Sequence, residues 1–167
     1  MTCNLASAGG HKYIIVIVDY FTKLAEVMPT FKADGETIAF FVFNQIIARF
    51  GIPKVTVTDH GNHFQNNMMM ELTTMLGFRQ EHSSSYYPQA NGEVEAVNKT
   101  LKTIPKCTID AAYSNWHIML YPALWAYQTN VKTATSFSPF QLIHGVEAVT
   151  PVECETLSLK NNYSCVT

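Results

Sequence analysis

Apolar and polar positions along this chain change period several times, and each change marks an element. Tyr13 to Val18 is an unbroken run of aromatic and β-branched residues, which predicts a buried strand, and Leu24 to Met28 predicts its hairpin partner. A helical pattern runs from about Gly35 to Arg49, with Asp34 placed to cap it and Gly51-Ile52-Pro53 placed to end it. Alternation returns over 54–58 as a strand. A helix is predicted over 65–76, with Met68, Leu72, Met75 and Leu76 turned inward, and Phe78 to Glu81 reads as a short strand. Residues 83–92 form a Ser/Tyr/Pro/Asn/Gly loop. A helix follows from about Asn91 to Ile104, where Pro105 stops or kinks it. Asn115 to Gln128 predicts another helix despite Pro122, and Ser138-Pro139 opens a short one. Strands alternating with helices of this length make an α/β domain with a mixed sheet.

Composition narrows this picture. At 167 residues and 47% hydrophobic, the chain is long enough for one domain with a real core and too apolar for a disordered segment. Apolar runs such as Ile14 to Val18 are far too short to span a bilayer, and the start does not resemble a secretion signal. Cys3, Cys107, Cys154 and Cys165 are widely spaced and form no Cys-x-x-Cys pair, as expected of reduced thiols in a protein that is not secreted. The net charge of −2 gives nucleic-acid binding no global support, so such binding needs a local patch.

Candidate chemistry centres on Asp59 and Glu95. Asp59 closes the alternation Val55-Thr56-Val57-Thr58, with Gly61 two residues on, while Glu95 stands where a loop becomes a helix, with 35 residues between the two acids. Carboxylates so placed suit a divalent-metal site for phosphoryl transfer. Val94, Val97, Leu101 and Ile104 form the apolar stripe of the later helix, and Glu95 lies about 140° round from it. Lys99, Lys102 and Lys106 follow on the side of Glu95, where ammonium groups can grip phosphates. Taken alone, the helix is equally an ordinary amphipathic one with i, i+4 ion pairs. Asn91 and Gly92 in the preceding loop permit backbone conformations that suit a lip over a substrate.

Together these stretches resemble the catalytic core of retroviral and long-terminal-repeat retrotransposon integrases, most closely those of plant Ty3/Gypsy-class elements. The resemblance rests on Tyr13-Ile-Ile-Val-Ile-Val-Asp19-Tyr-Phe-Thr-Lys23, Arg49-Phe-Gly-Ile-Pro53, Thr58-Asp-His-Gly-Asn-His-Phe64, Tyr86-Tyr-Pro-Gln-Ala-Asn-Gly92, Glu95-Ala-Val-Asn-Lys-Thr-Leu-Lys102, Asn115-Trp116, Leu124-Trp-Ala-Tyr127 and Ser138-Pro-Phe140. It covers roughly residues 9–153. It implies an RNase H-like fold with a five-stranded mixed sheet, and two Mg²⁺ or Mn²⁺ ions held by three carboxylates. It further implies polynucleotidyl transfer in DNA integration: processing of the element's DNA ends, then strand transfer into target DNA. By position, Asp59 and Glu95 match the second and third acids. Lys99, Lys102, Asn98, Gln89 and Asn91 fall at positions expected to contact DNA. Homo-oligomers and a nuclear location are likewise implied.

The same resemblance places the first acid on an earlier strand, an inner one lying between the second and fourth. Residues 1–10 contain neither Asp nor Glu, so that strand and its acid are expected to be missing or replaced. The expectation is an irregular segment over 1–10, a core-like domain over 11–153 and a tail over 154–167. Two carboxylates of three would leave metal binding weak and activity lost or reduced. The alternative is a non-catalytic DNA-binding or oligomerising remnant. Asp19, at the end of the predicted first strand, is a less favoured candidate for the third acid.

Other residues read more simply. His60 and His63 flank Gly61 in a loop and suit no zinc site. His11, His82, His117 and His144 are expected at the surface or in hydrogen bonds. Met68-Met69-Met70 reads as helix core with exposed neighbours. Trp116, Tyr121, Trp125 and Tyr127 are expected mostly in the core of the later helices.

Overall fold

The structure, a computed structural model, describes residues 6–58, 66–82, 97, 99 and 116–149. Strand β1 (Tyr13–Val18) pairs antiparallel with β2 (Ala25–Thr30), in the register Tyr13 to Thr30 through Val18 to Ala25. Helix α1 (Gly35–Phe41) runs into a π-helical segment, Val42–Ile47, and a short closing turn, α2 (Ala48–Phe50). Strand β3 (Val55–Thr58), helix α3 (Asn67–Leu76) and strand β4 (Arg79–His82) follow, and β3 and β4 are parallel. Helix α4 (Trp116–Thr129) and the short α5 (Pro139–His144) complete the described elements. Among these residues no helix is long and apolar enough to cross a membrane.

Side chains alternate across β1, as a strand's period of two requires, and so the hairpin feeds two cores. Ile14, Ala25 and Val27 pack with Val97, Trp116, Leu120, Ala123, Leu124 and Tyr127 on one face, with Val16 and Val18 against them. On the other face Ile15 joins Ile38, Ala39, Phe41, Val42, Met69 and Phe78, flanked by Ile17, Met28, Leu72 and Leu76. The hairpin is thus the middle layer of a helix–sheet–helix sandwich. Its two faces are clothed by residues far apart in sequence.

Local chemistry sets the helix boundaries. Asp34 Oδ1 accepts from the Thr37 backbone N–H at 3.0 Å, and those two bonds from Thr37, hydroxyl included, hold the Asp34 carboxyl below its ordinary pKa. Asn66 Oδ1 caps α3 through Met69 N at 2.9 Å, and Gly77 ends it in the left-handed conformation. Ser138 caps α5 with Pro139 in its first turn. Pro122 removes one intrahelical bond from α4, a loss of about 3 kcal/mol. Burial of Leu120, Ala123, Leu124 and Tyr127 on the hairpin outweighs that, at roughly 1.5–3 kcal/mol for each larger side chain. Gln128 Nε2 fastens the far end of α4 to Ala25 O at 2.8 Å.

Three expectations are corrected. The inward face of α3 is Met69, Leu72 and Leu76, and Met68 and Met75 point to solvent, Met75 being 83% exposed. Three consecutive methionines leave the helical phase undecided until α1 supplies a surface to pack on. Tyr121 and Trp125 lie on the outer face of α4, and only Trp116 and Tyr127 of the four aromatics are core. The helix expected over 35–49 contains a π-helical stretch, in which Asn44 Nδ2 bonds Phe40 O. The described strands form two pairs, β1–β2 and β3–β4.

Candidate functional site

The carboxyl ends of parallel strands are where α/β proteins gather ligands, and β3 and β4 end side by side. Thr58 closes β3 opposite His82 of β4. Thr58 Oγ1 lies 3.1 Å from His82 Nδ1 and accepts from Gln80 Nε2 at 3.3 Å. One rung lower, Thr56 Oγ1 donates to Arg79 O at 3.3 Å. A threonine hydroxyl, an amide and an imidazole therefore pin the last residue of β3. The next residue in the chain is Asp59.

Asp59, Glu95, Asn98, Lys102, Gln89 and Asn91 lie outside the described residues. Two of their neighbours lie inside. Val97 is helical and 1% exposed, held in the cluster with Trp116, Leu120 and Tyr127, and Lys99 is helical and exposed. Two residues along a helix turn the direction by about 200°, so a buried Val97 and an outward Lys99 are the phase expected of the apolar stripe. Val97 anchors its helix in the core shared with α4.

Asp19 sits at the tip of the β1–β2 hairpin. Its Oδ2 accepts from Thr22 N at 2.8 Å and from Thr22 Oγ1 at 2.6 Å, and its backbone bonds Leu24 and Lys23. That carboxylate organises the turn. Among the described residues no group of three or more His, Cys, Asp or Glu side chains is arranged to hold a metal ion.

Two features escape a reading of the sequence. The His82–Thr58–Gln80 network joins residues 22 and 24 apart and exists only because β3 and β4 run parallel. His11, expected at the surface or in hydrogen bonds, also stacks on His117 at 4.9 Å and on Phe31 at 4.3 Å. Neither histidine lies within a pattern of residues that signals the other.

Comparison with known proteins gives one consistent answer. The family model described as "Integrase core domain" matches residues 1–88. The Gag-Pol polyprotein of baboon endogenous virus (strain M7) is 31% identical over 137 residues, covering 81% of this chain and 8% of that polyprotein. The Pol polyprotein of feline endogenous virus ECE1 is also 31% identical over 137 residues, covering 81% of this chain and 13% of its own length. This chain thus spans a small part of the curated relatives it matches. Among solved structures, the HTLV-2 integrase catalytic core domain in complex with magnesium, in trimeric form, superposes with a TM-score of 0.62 at 27% identity, over 78% of this chain and 84% of that one. The simian T-cell lymphotropic virus intasome in complex with PP2A regulatory subunit B56 gamma superposes with a TM-score of 0.66, over 83% of this chain and 50% of that one. At 24% identity this second likeness speaks for the fold. The fold is RNase H-like.

Proposed function

Because this chain belongs to the integrase core domain family, we propose that it acts on DNA in integration, as a divalent-metal-dependent polynucleotidyl transferase core. The observation that carries the proposal is the family match, which spans β1 through β4 and takes in Asp59. In-line phosphoryl transfer needs positioning and charge neutralisation more than a protein nucleophile, and nothing in the candidate site requires one.

Asp59 and Glu95 are the residues we assign to the metal. Carboxylate oxygens are hard donors suited to Mg²⁺ or Mn²⁺, and the magnesium complex of the HTLV-2 core supports the same choice of ion here. With such ions held there, the site gains the positive charge that activates an attacking oxygen and stabilises a leaving one. Lys99 and Lys102 then hold phosphates beside the scissile bond, with Asn98, Gln89 and Asn91 along the same DNA path. The trimeric form of that core supports assembly of this chain as a homo-oligomer.

A metal titration on the purified chain tests this. With only Asp59 and Glu95 assigned to the metal, Mg²⁺ or Mn²⁺ should raise the melting temperature modestly and support at most reduced joining of a 3′-hydroxyl oligonucleotide end to a target duplex. Both effects should vanish in Asp59→Asn and Glu95→Gln. DNA binding that persists in those variants and ignores metal, with no joining by the wild type, would reassign the chain as a non-catalytic DNA-binding remnant.

A further inference from the structure

The β1–β2 hairpin ends in two aromatic rings held out into solvent. Tyr20 is 66% exposed and Phe21 81% exposed, with their rings edge to face at 5.8 Å and 89°. Exposed aromatic rings are usually mobile, but this tip is fixed. Asp19 N donates to Leu24 O and Lys23 N to Asp19 O, Thr22 bonds the Asp19 carboxylate twice, and Leu24 N donates to Thr22 Oγ1. Below the turn, β1 and β2 are buried between the two cores, so the tip stands on a rigid stem.

Lys23 adds a second observation. Its φ is +61°, a left-handed conformation that glycine adopts at less cost. Its ammonium lies over the Tyr20 ring, 4.5 Å from the centroid. Lys23 is half-buried, and backbone strain of this kind persists where surrounding bonds enforce it and clusters at ligand clamps. Here it sets a cation beside an exposed aromatic pair.

The geometry points to the Tyr20–Phe21 tip as a stacking element for unpaired nucleobases, with Lys23 facing the adjoining phosphate. This rests on the reading that the chain acts on DNA, and it adds a contact beyond Lys99 and Lys102. The fit is chemical. Phe21 offers an open π-face to any base, a turn whose backbone is already held by hydrogen bonds loses little freedom on stacking, and the nearby ammonium matches an anionic backbone.

Binding of the full chain to two DNAs tests this: a blunt duplex, and the same duplex with a two-nucleotide unpaired end carrying 2-aminopurine. The wild type should bind the frayed end more tightly and quench its fluorescence. Phe21→Ala should weaken binding to the frayed end about fivefold or more and abolish the quenching, while blunt-end affinity changes less than twofold. Phe21→Trp should restore both. Both rings lie in solvent, so the melting temperature of each variant should match the wild type. Equal binding and quenching by the wild type and Phe21→Ala would overturn the inference and leave DNA binding standing. A wild type that binds neither DNA would overturn the DNA reading itself, and this inference with it. If Phe21→Ala changes only self-association by light scattering, the tip is a protein contact and the inference fails.

Discussion

His11 and His117 lie face to face, ring centroids 4.9 Å apart and 26° from parallel, and clasp the N-terminal turn to the start of α4. Ser7 Oγ accepts from His11 N at 3.0 Å and lies 3.2 Å from His11 Nδ1, and Phe31 and Trp116 flank the stack. None of these neighbours is a carboxylate. Burial first, and the His117 charge second, hold the His11 pKa below its ordinary 6.5.

A depressed histidine pKa means that the unfolded chain binds the proton more readily than the folded one. Stability from His11 is therefore full above about pH 6.5 and falls as pH drops from there to the lowered folded value. Melting temperature should decline between pH 7.5 and 5.5. His117→Phe, which keeps a ring on the stack without a charge, should make that decline shallower.

Arg49 Nη1 lies 2.9 Å from Glu26 Oε1, whose side chain is 8% exposed on β2. Burial raises the Glu26 pKa, and the charge and hydrogen bond of Arg49 pull it back only in part. The folded state thus holds this proton more tightly than the unfolded chain, so Glu26 contributes most below its ordinary 4.5 and less as pH rises through the raised value. Arg49→Ala leaves a nearly buried carboxylate without its cation and should lower stability at pH 7 by about 1–3 kcal/mol. Adding Glu26→Gln should recover most of that loss. Urea denaturation of the single and double variants measures both.

Gly35 and Asn66 bring the start of α1 against the cap of α3. A Cβ on residue 35 would collide with the Asn66 side chain, whose Oδ1 is bonded to Met69 N. Gly35→Ala should destabilise the chain by about 1–3 kcal/mol despite its better helix propensity. A neutral or raised melting temperature would show that Asn66 can yield.

Val97, two residues after Glu95 in the sequence, is helical and packs in the core shared with α4, at 1% exposure. Val97→Ala should cost about 2 kcal/mol through the cavity it leaves. It should also weaken metal-induced stabilisation more than an equally destabilising change at Met69, on the opposite core.

Thr58 should matter beyond its own hydrogen bonds. Thr58→Val keeps the shape and removes the acceptor for Gln80, a loss of about 1 kcal/mol. If the network positions Asp59, Thr58→Val lowers Mg²⁺ affinity while Thr58→Ser retains it, and calorimetric titration separates the two.

Sequence alone determined the elements whose causes are local. The run Tyr13–Val18, the Asp34 cap, Ser138-Pro139 and the Gly51 stop each name their structure because the deciding contacts lie within a few residues. The motifs from Tyr13 through Tyr87 likewise carried the family, whose model matches residues 1–88. Tertiary structure decided what depends on a distant partner. The inward face of α3 was fixed by the Ile38–Phe41 surface, since the methionine run offers no single phase of its own. Pro122 stays helical because the hairpin beneath α4 supplies more burial than the proline removes. The His11–His117 stack, the Thr58–His82 bond and the Arg49–Glu26 pair join residues from 23 to 106 apart. Such contacts form when packing closes long loops, and no local pattern encodes them.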